Sequence, residues 1–182
     1  DQAKQRLAAM LSEEERRASR ELLRPSPNQN GSPVVILHPG ANWAHKRWPA
    51  ERFAALGQRL AASQGARIVI TGGPDDVALA GSIREGMQQP AGVLAGRTTL
   101  RELGACLEQA RLVVSNDTGV LHMASALGRP VVALYGPTSP AFTGPLGDPS
   151  RTIVLHHPGC CPRIPCYHPV HPGYPGMSAI TV

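Results

Sequence analysis

Between Pro33 and Tyr135 the sequence switches repeatedly between short apolar runs and stretches whose apolar residues recur at helical spacing. Pro33 to His38 (PVVILH) reads as a strand, and Phe53, Leu56 and Leu60 then form a helical stripe that ends at Gly65. A strand over Ala66 to Thr71 follows, then a weaker helix with Leu79 and Ile83, and a short strand near Val93 and Leu94. Thr99 and Glu102 make a capping box for a helix carrying Leu103 and Leu107, which leads to a strand over Arg111 to Ser115. A helix over about Val120 to Leu127 stops at Gly128 before the strand Pro130 to Tyr135. Parallel neighbours need crossover connections, and those crossovers are right-handed, so this alternation predicts an α/β fold with a doubly wound, Rossmann-like parallel sheet. If the strand order is 3-2-1-4-5, the first and fourth strands are neighbours whose chains leave in opposite directions, which opens a ligand crevice.

The chain has 182 residues, enough to bury a core. Ser12 and Glu15 form another capping box, so residues 1–32 are expected to hold a charged helix and a linker, residues 33–155 the Rossmann-like unit, and residues 156–182 a Pro-, Cys- and His-rich irregular tail. Pro density rises after Tyr135, which predicts largely irregular structure from there on. Lys and Arg outnumber Asp and Glu by 18 to 13, a balance that suits an anionic ligand or surface and equally a mildly basic soluble protein. No apolar run approaches a membrane span and no secretory pattern opens the chain, so a cytoplasmic protein is expected. The start at Asp1 and the end at Val182 suggest a piece of something longer.

The loops leaving the first and fourth strands, His38 to Trp48 and Ser115 to Gly119, hold the densest polar groups. Where the fourth strand becomes a helix, the N–H groups of Thr118, Gly119 and Val120 have no intrahelical partner and favour an anion. Gly119 lets a phosphate approach closely and Thr118 adds a hydroxyl. Asn116 and Asp117 equally suit an ordinary helix cap. Lys46 can reach a diphosphate from the other loop, or be solvated beside Arg47. His122 can face the crevice from one turn into its helix, or pack or cap. Asp75 follows the second strand, where an acidic residue commonly accepts ribose hydroxyls, although a dipole-favoured helix-start Asp describes it almost as well and Asp76 equally well. No G-x-G-x-x-G follows the first strand, which argues against a dinucleotide dehydrogenase.

The segments "HPGANWAHKRWP", "ITGGPDD", "LAGRTTLREL" and "NDTGVLHMASALGRPVVALYGPTSP", in this order and spacing, resemble the ADP-heptose:lipopolysaccharide heptosyltransferases of glycosyltransferase family nine. The resemblance spans roughly Pro33 to Gly147, and "YGPTSPAFTGPL" leans toward the second heptosyltransferase of the inner core. It implies one half of a GT-B enzyme, the carboxyl-terminal domain that binds the donor ADP-heptose. By that resemblance Lys46 contacts the donor diphosphate, Asp75 the ribose, and Thr98 lies beside adenine. Asp117, Thr118, Gly119, Val120 and His122 align with contacts to the sugar and phosphates. Ala41 and Asn42 stand where the family often has small hydroxyl residues. The implied reaction inverts the anomeric carbon, and its base is an Asp of an amino-terminal acceptor domain, so no catalytic residue is assigned within these residues.

No D-x-D pattern for a metal-bound diphosphate is visible, so no metal and no cofactor is assigned. Cys160, Cys161, Cys166 and His168 include suitable metal ligands but no clean C-x-x-C pair. The implied partners are the nucleotide sugar and, through the amino-terminal domain, the lipopolysaccharide core at the cytoplasmic face of the inner membrane; no nucleic acid is expected. The competing reading is a non-catalytic nucleotide-sugar binding module.

Overall fold

The computed structural model describes residues 7–24 and 29–156. Helix α1 (Glu13–Leu22) starts at the capping box of Ser12 and Glu15. Strand β1 (Val34–His38) leads through a 3-10 turn at Ala44–Lys46 to helix α2 (Ala50–Gln64). Strand β2 (Arg67–Ile70), helix α3 (Val77–Glu85) and strand β3 (Ala91–Val93) follow. The chain then returns through helix α4 (Leu100–Glu108) to strand β4 (Leu112–Asn116), helix α5 (Gly119–Ala126) and strand β5 (Val131–Tyr135). Gly65 and Gly128 end α2 and α5 with φ of 59° and 68°, a backbone that glycine adopts without steric cost.

With a sixth strand, β6 (Thr152–His156), all strands of the sheet pair in parallel, in the order β3-β2-β1-β4-β5-β6. Alternate residues of each strand feed opposite faces. Val34 and Ile36 of β1 pack with Leu103 and Leu107 of α4, Leu121 of α5 and Leu127 just after it, whereas Val35 and Leu37 pack with Phe53, Ala80 and Ile83 of α2 and α3. Both faces are therefore covered, which is why β1 reads as a continuous apolar run rather than an alternating one. Each fully buried Ile or Leu here contributes about 1.5–3 kcal/mol relative to exposure. The helices change face between β3 and β4, so β1 and β4 flank the switch point.

Helix α1 lies against α4, with Arg16 donating to Glu108 at 2.8 Å and Leu11 and Leu23 entering the core on that face. The segment after Tyr135 is more regular than its proline content predicts. It contains helix α6 (Pro140–Thr143) and strand β6 (Thr152–His156), which extends the sheet beside β5. Thr152, Ile153 and Val154 are β-branched and favour a pleated edge, a local signal masked by the surrounding prolines.

Candidate functional site

At the switch point His38 of β1 is paired in register with Ser115 of β4, and the two chains diverge from there. The buried side chain of Asn116 closes the β1 loop. Its Nδ2 donates to the Pro39 carbonyl at 2.8 Å and more weakly to that of Gly40 at 3.4 Å, while its Oδ1 accepts the Trp48 amide at 3.1 Å. Both ends of the ten-residue loop are thus tied to the end of β4, and Trp48, packed edge-on to Phe53 at 5.0 Å, anchors it in the core. Inside the loop the Arg47 guanidinium donates to the Ala41 carbonyl from Nε and Nη2.

Lys46 is neither solvated nor in the cleft described below. Its Nζ donates to Asp117 Oδ2 at 2.7 Å, with side-chain exposures of 13% and 8%, and lies 5.7 Å from the centre of the Trp43 ring. The same Oδ2 accepts from Thr138 Oγ1 at 2.7 Å, and His122 Nε2 stands 3.8 Å from Oδ1. Neither Asn116 nor Asp117 caps α5. The N-cap is Thr118, whose side chain makes no capping bond and lies 3.2 Å from Ser115 Oγ. The first amides of α5 are therefore left for another acceptor.

Of the two aspartates after β2, the structure separates the roles. Asp76 is the brace: its Oδ2 accepts the Gly73 amide at 3.0 Å and its Oδ1 lies 3.4 Å from Arg47 Nη2. It fills the space beside Gly40 and Gly72, where an added Cβ would stand 2.4 Å and 2.6 Å from its atoms. Asp75 is exposed and faces the cleft.

That cleft has a volume of about 680 Å³. Asp75, Thr98, Thr118, Gly119 and Val120 line it, and Leu100, Leu103 and Met123 add apolar surface. Lys46, Asp117 and His122 form the adjoining ionic cluster rather than its lining. The arrangement offers uncapped helix amides for an anion, an acidic acceptor for hydroxyls, and an apolar surface for a flat ring. Among the described residues no group of three His, Cys, Asp or Glu is arranged to hold a metal. The Cys160, Cys161, Cys166 and His168 group lies outside the described residues.

Sequence reasoning missed the bracing roles of Arg47, Asp76 and Asn116, and Thr138 altogether. The β1–β2, β1–β4 and β4–β5 pairings bring Arg47 to Asp76, Asn116 to the β1 loop and Thr138 to Asp117, so no local pattern marks these contacts.

His38 lies at the floor of the cleft with Nδ1 3.0 Å from Thr71 Oγ1. Burial pushes its imidazole down from 6.5 to about 4, against a smaller opposing pull from the Asp76 carboxylate. Between these values the unfolded chain takes up a proton that the folded ring refuses, so stability falls as pH drops from 6.5 toward 4. The expected loss by about pH 5 is about 2 kcal/mol. Urea unfolding of wild type and His38→Gln at neutral and acid pH checks this. The variant should lose less stability on acidification, and an identical loss would show that His38 does not set the dependence.

The profile of glycosyltransferase family 9 (heptosyltransferase) matches residues 1–168. The chain is 37% identical over 128 residues to lipooligosaccharide heptosyltransferase 2 of Haemophilus influenzae, covering 68% of this chain and 37% of that protein. Its fold is similar to that of Escherichia coli ADP-heptose lipopolysaccharide heptosyltransferase II, with a TM-score of 0.70 at 31% identity over 80% of this chain and 44% of that one. It is also similar to the E. coli heptosyltransferase WaaC solved with ADP, with a TM-score of 0.62 at 32% identity over 78% and 42% of the respective chains. The chain spans about two fifths of the length of these relatives.

Proposed function

The chain belongs to glycosyltransferase family 9, and from that premise we propose that it forms the donor-binding half of an inverting heptosyltransferase. The reaction moves heptose from ADP-heptose to the inner core of lipopolysaccharide. The observation that carries this reading is the cleft at the switch point, where the uncapped start of α5 faces Asp75 and Thr98 across the ends of β1 and β4.

ADP is the ligand we assign to that cleft, and an E. coli relative is solved with it. The diphosphate sits at the amides of Thr118, Gly119 and Val120, where the helix dipole favours negative charge. The ribose hydroxyls donate to Asp75. The adenine lies beside Thr98 against the apolar side of the cleft. Lys46, Asp117 and His122 meet the sugar end and the diphosphate. When the bond from the anomeric carbon to the diphosphate breaks, negative charge grows on the departing ADP. Oriented amides, and the Lys46 ammonium from beside the cleft, stabilise that charge. The attacking hydroxyl is the acceptor's, held and deprotonated by the amino-terminal half of the family's enzymes, whose Asp is the base, and the assembled protein works at the cytoplasmic face of the inner membrane. Among the described residues no helix is long and apolar enough to cross a membrane, and the formal charge of +5 suits an anionic surface.

A thermal-shift screen of ADP-, GDP- and UDP-sugars tests the reading. Stabilisation by the ADP sugar above the others supports it, and equal response to all three, or to none, overturns it. Asp75→Ala should weaken ADP about tenfold, the loss of one charge-assisted hydrogen bond, and leave inorganic pyrophosphate unaffected. Equal losses for the two ligands, measured by calorimetry, would remove Asp75 from the ribose. Because the chain spans only part of its relatives, a non-catalytic binding module remains the competing reading; restoration of transfer by an added amino-terminal half separates the two.

A further inference from the structure

Asp117 is approached from three elements, and two of its neighbours compete for one oxygen. Lys46 Nζ from the β1 loop and Thr138 Oγ1 from the turn after β5 each lie 2.7 Å from Oδ2. The remaining oxygen, Oδ1, is 3.8 Å from His122 Nε2. Thr138 is 1% exposed, and the turn that carries it is firmly built. The Tyr135 hydroxyl donates to the Thr143 carbonyl at 2.5 Å, and the Gly147 amide donates to Ser125 Oγ at 3.0 Å.

A lysine committed to a buried carboxylate is a poor ligand for anything else, because leaving would strand the carboxylate in a site with little water. The commitment weakens when a neutral donor already satisfies the same oxygen, since a hydrogen bond to a charged acceptor recovers much of the lost solvation. An ammonium has three protons, and the contact to Asp117 uses one. Thr138, buried and with its hydroxyl 2.7 Å from Oδ2, is placed to supply that neutral donor.

We infer that Thr138 is a positioning residue for the donor diphosphate. Its hydroxyl holds Oδ2 of Asp117, and this allows Lys46 to turn its charge toward the diphosphate without leaving the carboxylate bare. The inference rests on the reading of the cleft as an ADP site. It assigns Thr138 no contact with the ligand; its effect runs through Asp117 and Lys46.

Calorimetric titration of the 182-residue chain with ADP and with adenosine tests it. Thr138→Val removes the hydroxyl at nearly constant volume and should weaken ADP about tenfold, the effect of one charge-assisted hydrogen bond. Adenosine, which has no diphosphate, should bind as it does to wild type. Thr138→Ser keeps the hydroxyl and should restore ADP affinity. In a Lys46→Met background the Thr138→Val change should add no further loss, since both act through one contact. Unchanged ADP affinity in Thr138→Val, an equal loss for adenosine, or full additivity with Lys46→Met would each overturn the inference. If Thr138→Val fails to fold, Thr138→Ala takes its place in the comparison. Loss of the fold in both, with Thr138→Ser intact, would make Thr138 a purely structural residue and overturn it as well. Failure of the wild-type chain to bind ADP would instead refute the underlying function.

Discussion

The 182-residue chain is expected to bind ADP-heptose and to transfer no measurable heptose to heptose-deficient lipopolysaccharide. Binding should persist because every assigned donor contact comes from the loops and the helix that follow the carboxyl ends of strands in one sheet, and the two apolar layers on its faces hold them in place. Transfer should fail because the acceptor hydroxyl is not held in line with the anomeric carbon. Such alignment can be worth about 7–11 kcal/mol of barrier, or roughly five to eight orders of magnitude in rate, and more donor does not replace it. The assigned base is also a residue of the amino-terminal half, and its loss adds about two to four orders of magnitude. A radiolabelled transfer assay, with an amino-terminal half supplied as a separate chain in the control, gives the answer. Turnover by this chain alone would place a base within these residues, with Asp117 and His122 the first to test.

Lys46→Met is expected to destabilise the chain by about 3–5 kcal/mol, the range for removing one partner of a buried ion pair. The cost arises from what remains: Asp117 is 8% exposed and, among the described residues, keeps only the Thr138 hydroxyl within hydrogen-bond distance. Methionine preserves most of the lysine stem, so lost packing against Trp43 is a minor part of the effect. Folded variant should also bind ADP more weakly and with a shallower dependence on salt, because the contact it lacks is Coulombic and screened. Urea unfolding gives the first quantity and calorimetry at two ionic strengths the second. A change in stability within about 0.5 kcal/mol, the size typical of exposed positions, would mean that the pair opens freely to water.

The layer structure was legible because it depends on local signals. Glycines 65 and 128 adopt the positive φ expected of helix ends, and the capping boxes at Ser12 and Thr99 both form. The strand order was legible only as the common doubly wound order, which alternation permits but does not dictate; the sheet has that order, with β6 as an added sixth strand. The candidate site was legible only in part. Thr118, Gly119 and Val120 could be placed because a strand turning into a helix exposes its first amides whatever surrounds it. Lys46 could be placed on the right loop but not on its partner, since 71 residues separate it from Asp117 and only the β1–β4 pairing joins them. Arg47 and Asp76 are 29 residues apart, and Asn116 clasps carbonyls 76 and 77 residues away. Side chains that brace one loop against another carry no periodicity of their own. Their identities become meaningful only after the sheet order is known.

The cleft between the ends of β1 and β4 is the proposed ADP site. Titrating ADP into isotope-labelled chain and following the backbone amides by nuclear magnetic resonance tests it residue by residue. Saturable shifts are expected, largest at Thr118, Gly119 and Val120, with smaller ones around Asp75 and Thr98 and none at the exposed Ile153 of β6. Shifts that fail to saturate, or that centre on another face of the sheet while the α5 amides stay still, would contradict it.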